Sequence, residues 1–255
     1  MFWMTRHRTA DKPKVAENER IYAIGDVHGR HDLLIRLLDR IAADQTACAD
    51  DRRDRLVFLG DYIDRGDDSK EVLEILSSLG STQFGEITFL LGNHEVALLD
   101  FLNDPAQNTG WLNFGAEQTL ASYGVHAQNK PDAFERGWIA ESLAGKMGRH
   151  LGFLQELQPM TSSGDVLFTH AGYNPKRDTK NQRISDLVWG NQDFLRNNPV
   201  PGYCFVHGHY DAAEPVSLPG RICVDTGAYY SGVLTAVRLD AEEAFLSVNV
   251  LDADR

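Results

Sequence analysis

The chain has 255 residues, of which 42% are hydrophobic, and a formal net charge of −12 at pH 7. This length and composition are sufficient for one sizeable domain, or for a core with a subdomain. The negative charge argues against a nucleic-acid polymer as a partner, because binding its backbone normally requires a basic surface. The three cysteines show no CxxC spacing, which argues against structural disulfides and fits a reducing compartment.

The predicted organisation is a flexible N-terminal tail over residues 1–19 and a single domain over residues 20–255. No apolar segment has the length of a signal peptide or of a membrane-spanning helix. The sequence therefore predicts a cytoplasmic protein without a membrane partner.

Three hydrophobic runs, at residues 21–24, 56–59 and 87–91, each end at a glycine followed by Asp or Asn. Continuous runs without alternation are typical of strands that are covered on both faces. Helical periodicity follows the first two runs, so the repeated order of strand, loop and helix predicts parallel strands. Ligand sites of open α/β sheets gather at the carboxyl ends of such strands.

The polar residues at these strand ends have the chemistry of a two-metal site. Two divalent cations roughly 3.5–4 Å apart can share a hydroxide and hold a phosphoryl oxygen, given mixed oxygen and nitrogen ligands. Asp61 is the candidate bridging ligand. The other candidates are Asp26 and His28 for one metal, and Asn93, His170 and His209 for the other. Helix capping is the alternative for any strand-end Asp or Asn taken singly, but it does not explain the whole set.

Five segments in this order resemble the phosphoprotein phosphatase branch, of bacterial type, of the calcineurin-like metallophosphoesterases. The segments are Gly25-Asp26-Val27-His28-Gly29, Gly60-Asp61-Tyr62-Ile63-Asp64-Arg65-Gly66, Gly92-Asn93-His94-Glu95, Thr169-His170-Ala171-Gly172 and Gly208-His209. The resemblance spans roughly residues 21–239 and implies a four-layer α/β/β/α sandwich. It also implies the same ligand set, with Asp61 shared by both metals.

The resemblance implies three further roles around the phosphate. His94 would be the general acid that protonates the leaving group, and Asp64 would orient it and raise its pKa. Arg65 would bind the phosphate oxygens in a forked contact, with Asn93 and His94 also touching substrate. The motifs contain no suitably placed Cys or Ser nucleophile, so we expect direct attack by a metal-bridging hydroxide.

The chain departs from the family pattern after Trp189. Relatives commonly carry a second phosphate-binding arginine one or two positions later, where this chain has Asn191. Either the chain lacks this second guanidinium or another arginine supplies it. The candidates are Arg177, Arg183 and Arg196. Loss of one charge-assisted contact would weaken phosphate binding by about 1.5–3 kcal/mol.

The second half of the chain predicts a helical insertion and then a second sheet. Helix-like stretches broken by Pro and Gly extend over about residues 96–158, and this insertion either selects substrate as a cap or covers one face of the sheet. Strands are expected at residues 166–168, 203–206, 221–224, 233–238 and 244–251. A second sheet packed on the first would give the four layers.

Several side chains have two readings from sequence alone. Only one of His207 and His209 is expected to face the site, and the family pattern favours His209. His31, His126 and His150 are expected at the surface or at helix caps. Trp189, Tyr229 and Tyr230 either line the substrate cleft or pack in the interior.

The substrate follows less directly from these motifs. The leading interpretation is a serine/threonine-type protein phosphatase acting on phosphomonoesters, partly because Gly-Asn-His-Glu resembles those enzymes. The alternative is a symmetrical dinucleoside polyphosphate hydrolase acting on diadenosine tetraphosphate, in which Asp more usually follows the histidine. A third is a binding or scaffold protein with a degenerate metal site. The expected partner is thus a phosphoprotein or a small phosphoester, and the expected ions are two Mn²⁺, with Fe or Zn²⁺ as alternatives.

Overall fold

The computed structural model describes residues 14–80, 84–128, 130–196 and 200–251. Residues 1–13 of the predicted tail lie outside this part. The strands are β1 (Glu19–Ile24), β2 (Arg53–Phe58), β3 (Glu86–Phe89), β4 (Met160–Ser163), β5 (Val166–Thr169), β6 (Cys204–His207), β7 (Val216–Leu218), β8 (Arg221–Cys223), β9 (Val233–Leu239) and β10 (Glu243–Asn249). The described α-helices are α1 (His31–Ala47), α2 (Ser69–Ser78), α3 (Asn93–Asn103), α4 (Ala116–Ser122), α5 (Ala133–Met147), α6 (Arg149–Gln155), α7 (Ile184–Val188), α8 (Gln192–Arg196) and α9 (Ala228–Ser231).

These strands form two five-stranded sheets. The first has the order β10-β9-β1-β2-β3, and its β1, β2 and β3 are parallel, which confirms the prediction from the repeated motif. The second has the order β4-β5-β6-β8-β7, with β5, β6 and β8 parallel. The edge strands β4 and β7 were not predicted, because neither contains a continuous apolar run.

Successive side chains of β1 face two different cores, which explains its unbroken apolar sequence. Tyr22 and Ile24 pack in the cluster that includes residues of α1 and α2. Ile21 and Ala23 pack in the cluster that lies between the two sheets. A third cluster joins the outer face of the second sheet to α7 and α8. The predicted four-layer α/β/β/α sandwich is therefore confirmed.

Helices α3 to α6 and a 3₁₀ helix (Thr109–Asn113) lie between β3 and β4 in the chain. Their apolar residues join the helix-side core of the first sheet. His150 belongs to this packing, and the prediction of a surface or capping residue was wrong for it. It is buried, and its ring contacts the Tyr123 hydroxyl at 2.6 Å and the Glu74 carboxylate at 3.0 Å.

The described helices include none that is both long and apolar enough to cross a membrane.

Candidate metal centre and catalytic site

The candidate ligands meet at the edge of the sandwich where the parallel strands end. Asp61 Oδ2 lies 3.5 Å from His28 Nε2 and 3.4 Å from His170 Nε2. Asn93 Oδ1 lies 3.0 Å from His170 Nε2 and 2.9 Å from His209 Nδ1. Two compact sets of ligand atoms result, His28-Asp61-His94 and Asp61-His170-His209, and they share Asp61.

Backbone carbonyls fix the orientation of two imidazoles. His28 Nδ1 donates to Ile63 O at 2.8 Å, and His170 Nδ1 donates to Leu59 O at 2.9 Å. Because a carbonyl only accepts, the Nε2 atoms that face Asp61 are left to offer lone pairs, as metal-binding histidines require. Burial lowers the pKa of His28 to about 3, so its ring is in the neutral, ligating form.

The surroundings shift the pKa values of His209 and His170 in opposite directions. Burial and the neighbouring His170 lower the pKa of His209 to about 4. Burial also opposes the charged form of His170, but the Asp61 carboxylate, Glu95 and the Leu59 carbonyl together raise the pKa of His170. A cation at this position would therefore displace a proton.

One carboxylate oxygen of Asp26 has no hydrogen-bond donor among the described residues. Its Oδ2 accepts the His209 N–H at 3.1 Å, whereas Oδ1 is buried without a partner among the described residues. Burial, with the charges of Asp225 and Asp61, raises the pKa of Asp26. A Cβ at Gly208 would overlap Oδ1, so glycine at this position leaves the space that the oxygen occupies. A buried, unmatched carboxylate beside two others fits a bound cation, although Asp26 lies in neither compact set.

Five site residues have left-handed backbone: φ is 43° at His28, 54° at Asp61, 71° at Asp64, 70° at Arg65 and 66° at His209. In the described chain, only one other non-glycine residue, Lys130, has a positive φ. Such conformations cost about 1–3 kcal/mol each and persist where surrounding contacts hold them, commonly at functional sites.

Glu95 holds one of these strained loops, a role that the sequence did not reveal. Its Oε1 accepts the N–H groups of Tyr62 at 2.8 Å and Ile63 at 3.3 Å. Its Oε2 accepts those of Asp61 at 2.9 Å and Gly92 at 3.1 Å. Burial and Asp61 raise the pKa of Glu95 to about 7, while the four donors favour its ionised form. The capping pattern Gly-Asn-His-Glu was the available signal, since such a glutamate reaches back to backbone N–H groups.

His94 and Asp64 form a buried pair beside the ligands. His94 Nδ1 donates to Asp64 Oδ2 at 2.7 Å, and His94 Nε2 lies 3.9 Å from Asp61 Oδ2. Burial alone would lower the pKa of His94, but Asp61 and the Asp64 hydrogen bond raise it overall. The neighbouring Arg65 is exposed, and its guanidinium lies 5.0 Å from the Tyr229 ring centroid.

Two residues of the insertion hold Asp64, and sequence reasoning missed both. Trp111 Nε1 donates to Asp64 Oδ2 at 2.9 Å, and the Thr119 hydroxyl donates to Oδ1 at 2.6 Å. The Asp64 N–H donates in turn to Thr119 Oγ1 at 2.9 Å. Gly115 O also accepts the Arg65 N–H at 3.1 Å. The insertion thus contacts the loop that carries Asp64 and Arg65 as well as covering the sheet.

The structure places Asn191 at a helix start. Its Oδ1 accepts the Asp193 N–H at 2.8 Å. Arg177 pairs with Asp186 at 3.5 Å, whereas Arg183 and Arg196 are exposed. Replacement of the missing guanidinium by one of these arginines stays a prediction.

His207 and His209 face different environments. The His207 ring lies 5.1 Å from the Phe194 ring, and its Nδ1 donates to Gly208 O at 2.8 Å. Burial lowers the pKa of His207 to about 3. His209 is the member of this pair that the fold brings to Asn93 and His170.

The sandwich and the imidazole–carboxylate cluster at its edge define a metal-dependent phosphoester hydrolase. The calcineurin-like phosphoesterase family matches residues 19–238, and the chain belongs to this family. The predicted family and enzyme class are thereby confirmed. Calcineurin-like phosphoesterases use a dinuclear divalent metal centre, which the residues present here fit.

Relatives of two kinds match nearly the whole chain. A symmetrical bis(5'-nucleosyl)-tetraphosphatase of Nitrosomonas europaea is 42% identical, over 88% of this chain and 96% of that protein. One of Methylococcus capsulatus is 27% identical, over 86% and 91%. Serine/threonine-protein phosphatase 2 of Salmonella typhimurium is also 27% identical, over 86% and 92%.

A solved structure described as a putative diadenosine tetraphosphatase has a TM-score of 0.58 and 18% identity, with 93% of this chain and 98% of that chain covered. At this identity the likeness concerns the fold alone.

Proposed function

We propose that this enzyme hydrolyses dinucleoside polyphosphates symmetrically, which was the alternative in the sequence interpretation. The observation that carries the proposal is the 42% identity to a symmetrical bis(5'-nucleosyl)-tetraphosphatase over 96% of that protein's length. With diadenosine tetraphosphate, hydrolysis of the central P–O–P bond by one water would give two molecules of ADP.

The geometry of Glu95 weakens the support that the Gly-Asn-His-Glu resemblance gave to a protein phosphatase. Its carboxylate is fully buried and contacts the backbone N–H groups of the Asp61 loop. Each of its two oxygens accepts two backbone N–H groups, so the carboxylate is not free to contact a leaving group. Glutamate in place of the more usual aspartate is therefore compatible with a dinucleotide substrate.

The metal ligands in this proposal are Asp26, His28, Asp61, Asn93, His170 and His209. When bound, the two cations supply Lewis-acid polarisation of the phosphoryl group and activation of a water molecule. The mixed oxygen and nitrogen ligands suit Mn²⁺, Fe and Zn²⁺. Mn²⁺ stays our choice for the active ion, and a cytoplasmic location stays a prediction.

The protein's own groups handle charge and the proton. Arg65 extends its exposed guanidinium to the phosphate oxygens, with Asn93 alongside. Asp64 holds His94 through Nδ1, so the opposite nitrogen is directed to protonate the leaving oxygen. Direct attack by water follows, because this arrangement offers no Cys or Ser nucleophile.

Protein phosphatase activity is the second candidate, and the Salmonella relative is the observation that favours it. The deciding experiment compares kcat/KM of manganese-loaded protein on diadenosine tetraphosphate and on a phosphothreonine peptide, with Asp61→Asn as the blank. We expect a preference for the dinucleotide and ADP as its nucleotide product. A peptide preference, or AMP and ATP as products, would reject the proposal.

A further inference from the structure

A row of six rings runs through the candidate site. In order, the rings are those of Trp189, Phe114, His94, His28, Tyr229 and Tyr230, and neighbouring centroids are 5.8, 5.9, 4.6, 5.6 and 5.0 Å apart. The two imidazoles in the middle belong to the metal and proton-transfer site. An aromatic pair therefore stands next to this site at each end of the row.

Three of the four outer rings are open to solvent. Trp189 is 42% exposed, Tyr229 is 38% exposed and Tyr230 is 57% exposed. Full burial in a core does not describe them, because each leaves more than a third of its surface open to solvent. Exposed Trp and Tyr rings beside a cationic phosphate site provide π faces on which nucleobases stack.

Arg65 connects one aromatic pair with the phosphate. Its guanidinium lies over the Tyr229 ring, 5.0 Å from the centroid. A nucleotide whose phosphate binds Arg65 would therefore have its nucleoside close to Tyr229. At the other end, Phe114 joins Trp189 to His94, the group that would meet the leaving phosphate.

We propose that Trp189 and Tyr229 stack the two nucleobases of a dinucleoside polyphosphate, with Phe114 and Tyr230 supporting them. This inference rests on the proposed function. A dinucleotide that is cleaved at its centre has one base on each side of the scissile bond, which matches an aromatic pair at each end of the ring row.

The test is steady-state kinetics of manganese-loaded, full-length protein with Trp189→Leu and Tyr229→Leu. We expect KM for diadenosine tetraphosphate to rise about 5- to 150-fold in each variant, the loss expected for one stacked base. Trp189→Phe and Tyr229→Phe keep a ring and should retain most of the affinity. The Ki of inorganic tetraphosphate, which has the phosphates without a base, should stay at the wild-type value.

Trp138→Leu is the matched control, because Trp138 is 50% exposed on α5 but lies outside the ring row. It should leave KM for the dinucleotide unchanged. If wild-type protein cleaves diadenosine tetraphosphate and the Leu variants keep its KM, or weaken tetraphosphate equally, stacking is refuted while the proposed function stands. If wild-type protein prefers the phosphothreonine peptide, both fail together.

Discussion

Asp61 offers one carboxylate to both halves of the metal centre. Its Oδ2 is within 3.5 Å of imidazole nitrogens of His28 and His170. Asp61→Asn keeps the side-chain size but removes the charge that both cations would share. We expect bound metal to fall and kcat/KM to drop by more than about 100-fold. Loss of a residue that only hydrogen-bonds to a metal ligand already costs up to about 100-fold.

Metal per chain measured by mass spectrometry, together with kcat/KM, checks this prediction. Asp67→Asn, at an exposed position close by in the sequence, is the control. Full metal content and activity in Asp61→Asn would contradict the bridging role.

Glu95 provides a second residue-scale prediction. Glu95→Asp shortens the side chain by one methylene and withdraws the carboxylate from the Asp61 and Tyr62 N–H groups. We expect the free energy of unfolding to fall by about 1–3 kcal/mol, because buried N–H groups lose their acceptor. The activities on diadenosine tetraphosphate and on the phosphothreonine peptide should both decline, and their ratio should stay the same. Urea unfolding and kcat/KM on the two substrates measure this, and a shift of the ratio toward diadenosine tetraphosphate would show that this position selects substrate.

At the scale of elements, the 3₁₀ helix Thr109–Asn113 connects the insertion to Asp64 and through it to His94, the proposed general acid. Trp111→Phe preserves a large ring but removes the donor to Asp64 Oδ2. We expect kcat to fall about tenfold, a fraction of the 10²–10⁴ that general acid catalysis contributes, because His94 loses alignment but stays present. KM should change little. Trp138→Phe is the control, and an unaltered kcat in Trp111→Phe would leave the insertion as a cover only.

The sequence predicted the elements that position the ligands, because Asp26, Asp61 and Asn93 each follow a continuous apolar run. Both faces of those strands are covered, so each strand appears in the sequence as one unbroken run of apolar residues. Thr119 and Asp64 are 55 positions apart, and their contact arises only when the insertion docks. No spacing rule reports such a contact. The edge strands β4 and β7 were missed for the converse reason: they are short and lack a full apolar face.

For the whole molecule, the catalytic edge of the sandwich has a counterpart at the opposite ends of the strands. Arg20 lies at the start of β1 and is only 2% exposed. Its guanidinium contacts Asp54 at the start of β2 and Asp240 after β9, both at 3.2 Å. It also donates to Cys48 O at 2.5 Å, just beyond α1. One side chain thus joins three strands and a helix far from the ligands.

Arg20→Met should therefore reduce stability without disturbing the metal centre. Asp240, whose side chain is 7% exposed, would lose its most buried cationic partner, and we expect the free energy of unfolding of the metal-free protein to fall by about 3 kcal/mol. Arg53→Met is the matched control, because Arg53 is 66% exposed and its partner Glu19 keeps Arg55 as a second cationic partner at 3.2 Å. Its cost should be under about 1 kcal/mol. Urea unfolding measures the free energy of unfolding of the two variants. Bound metal per chain shows whether the candidate site at the other edge is disturbed. Equal stability losses would refute the structural role of Arg20, and loss of metal in Arg20→Met would show that the two edges of the sandwich are coupled.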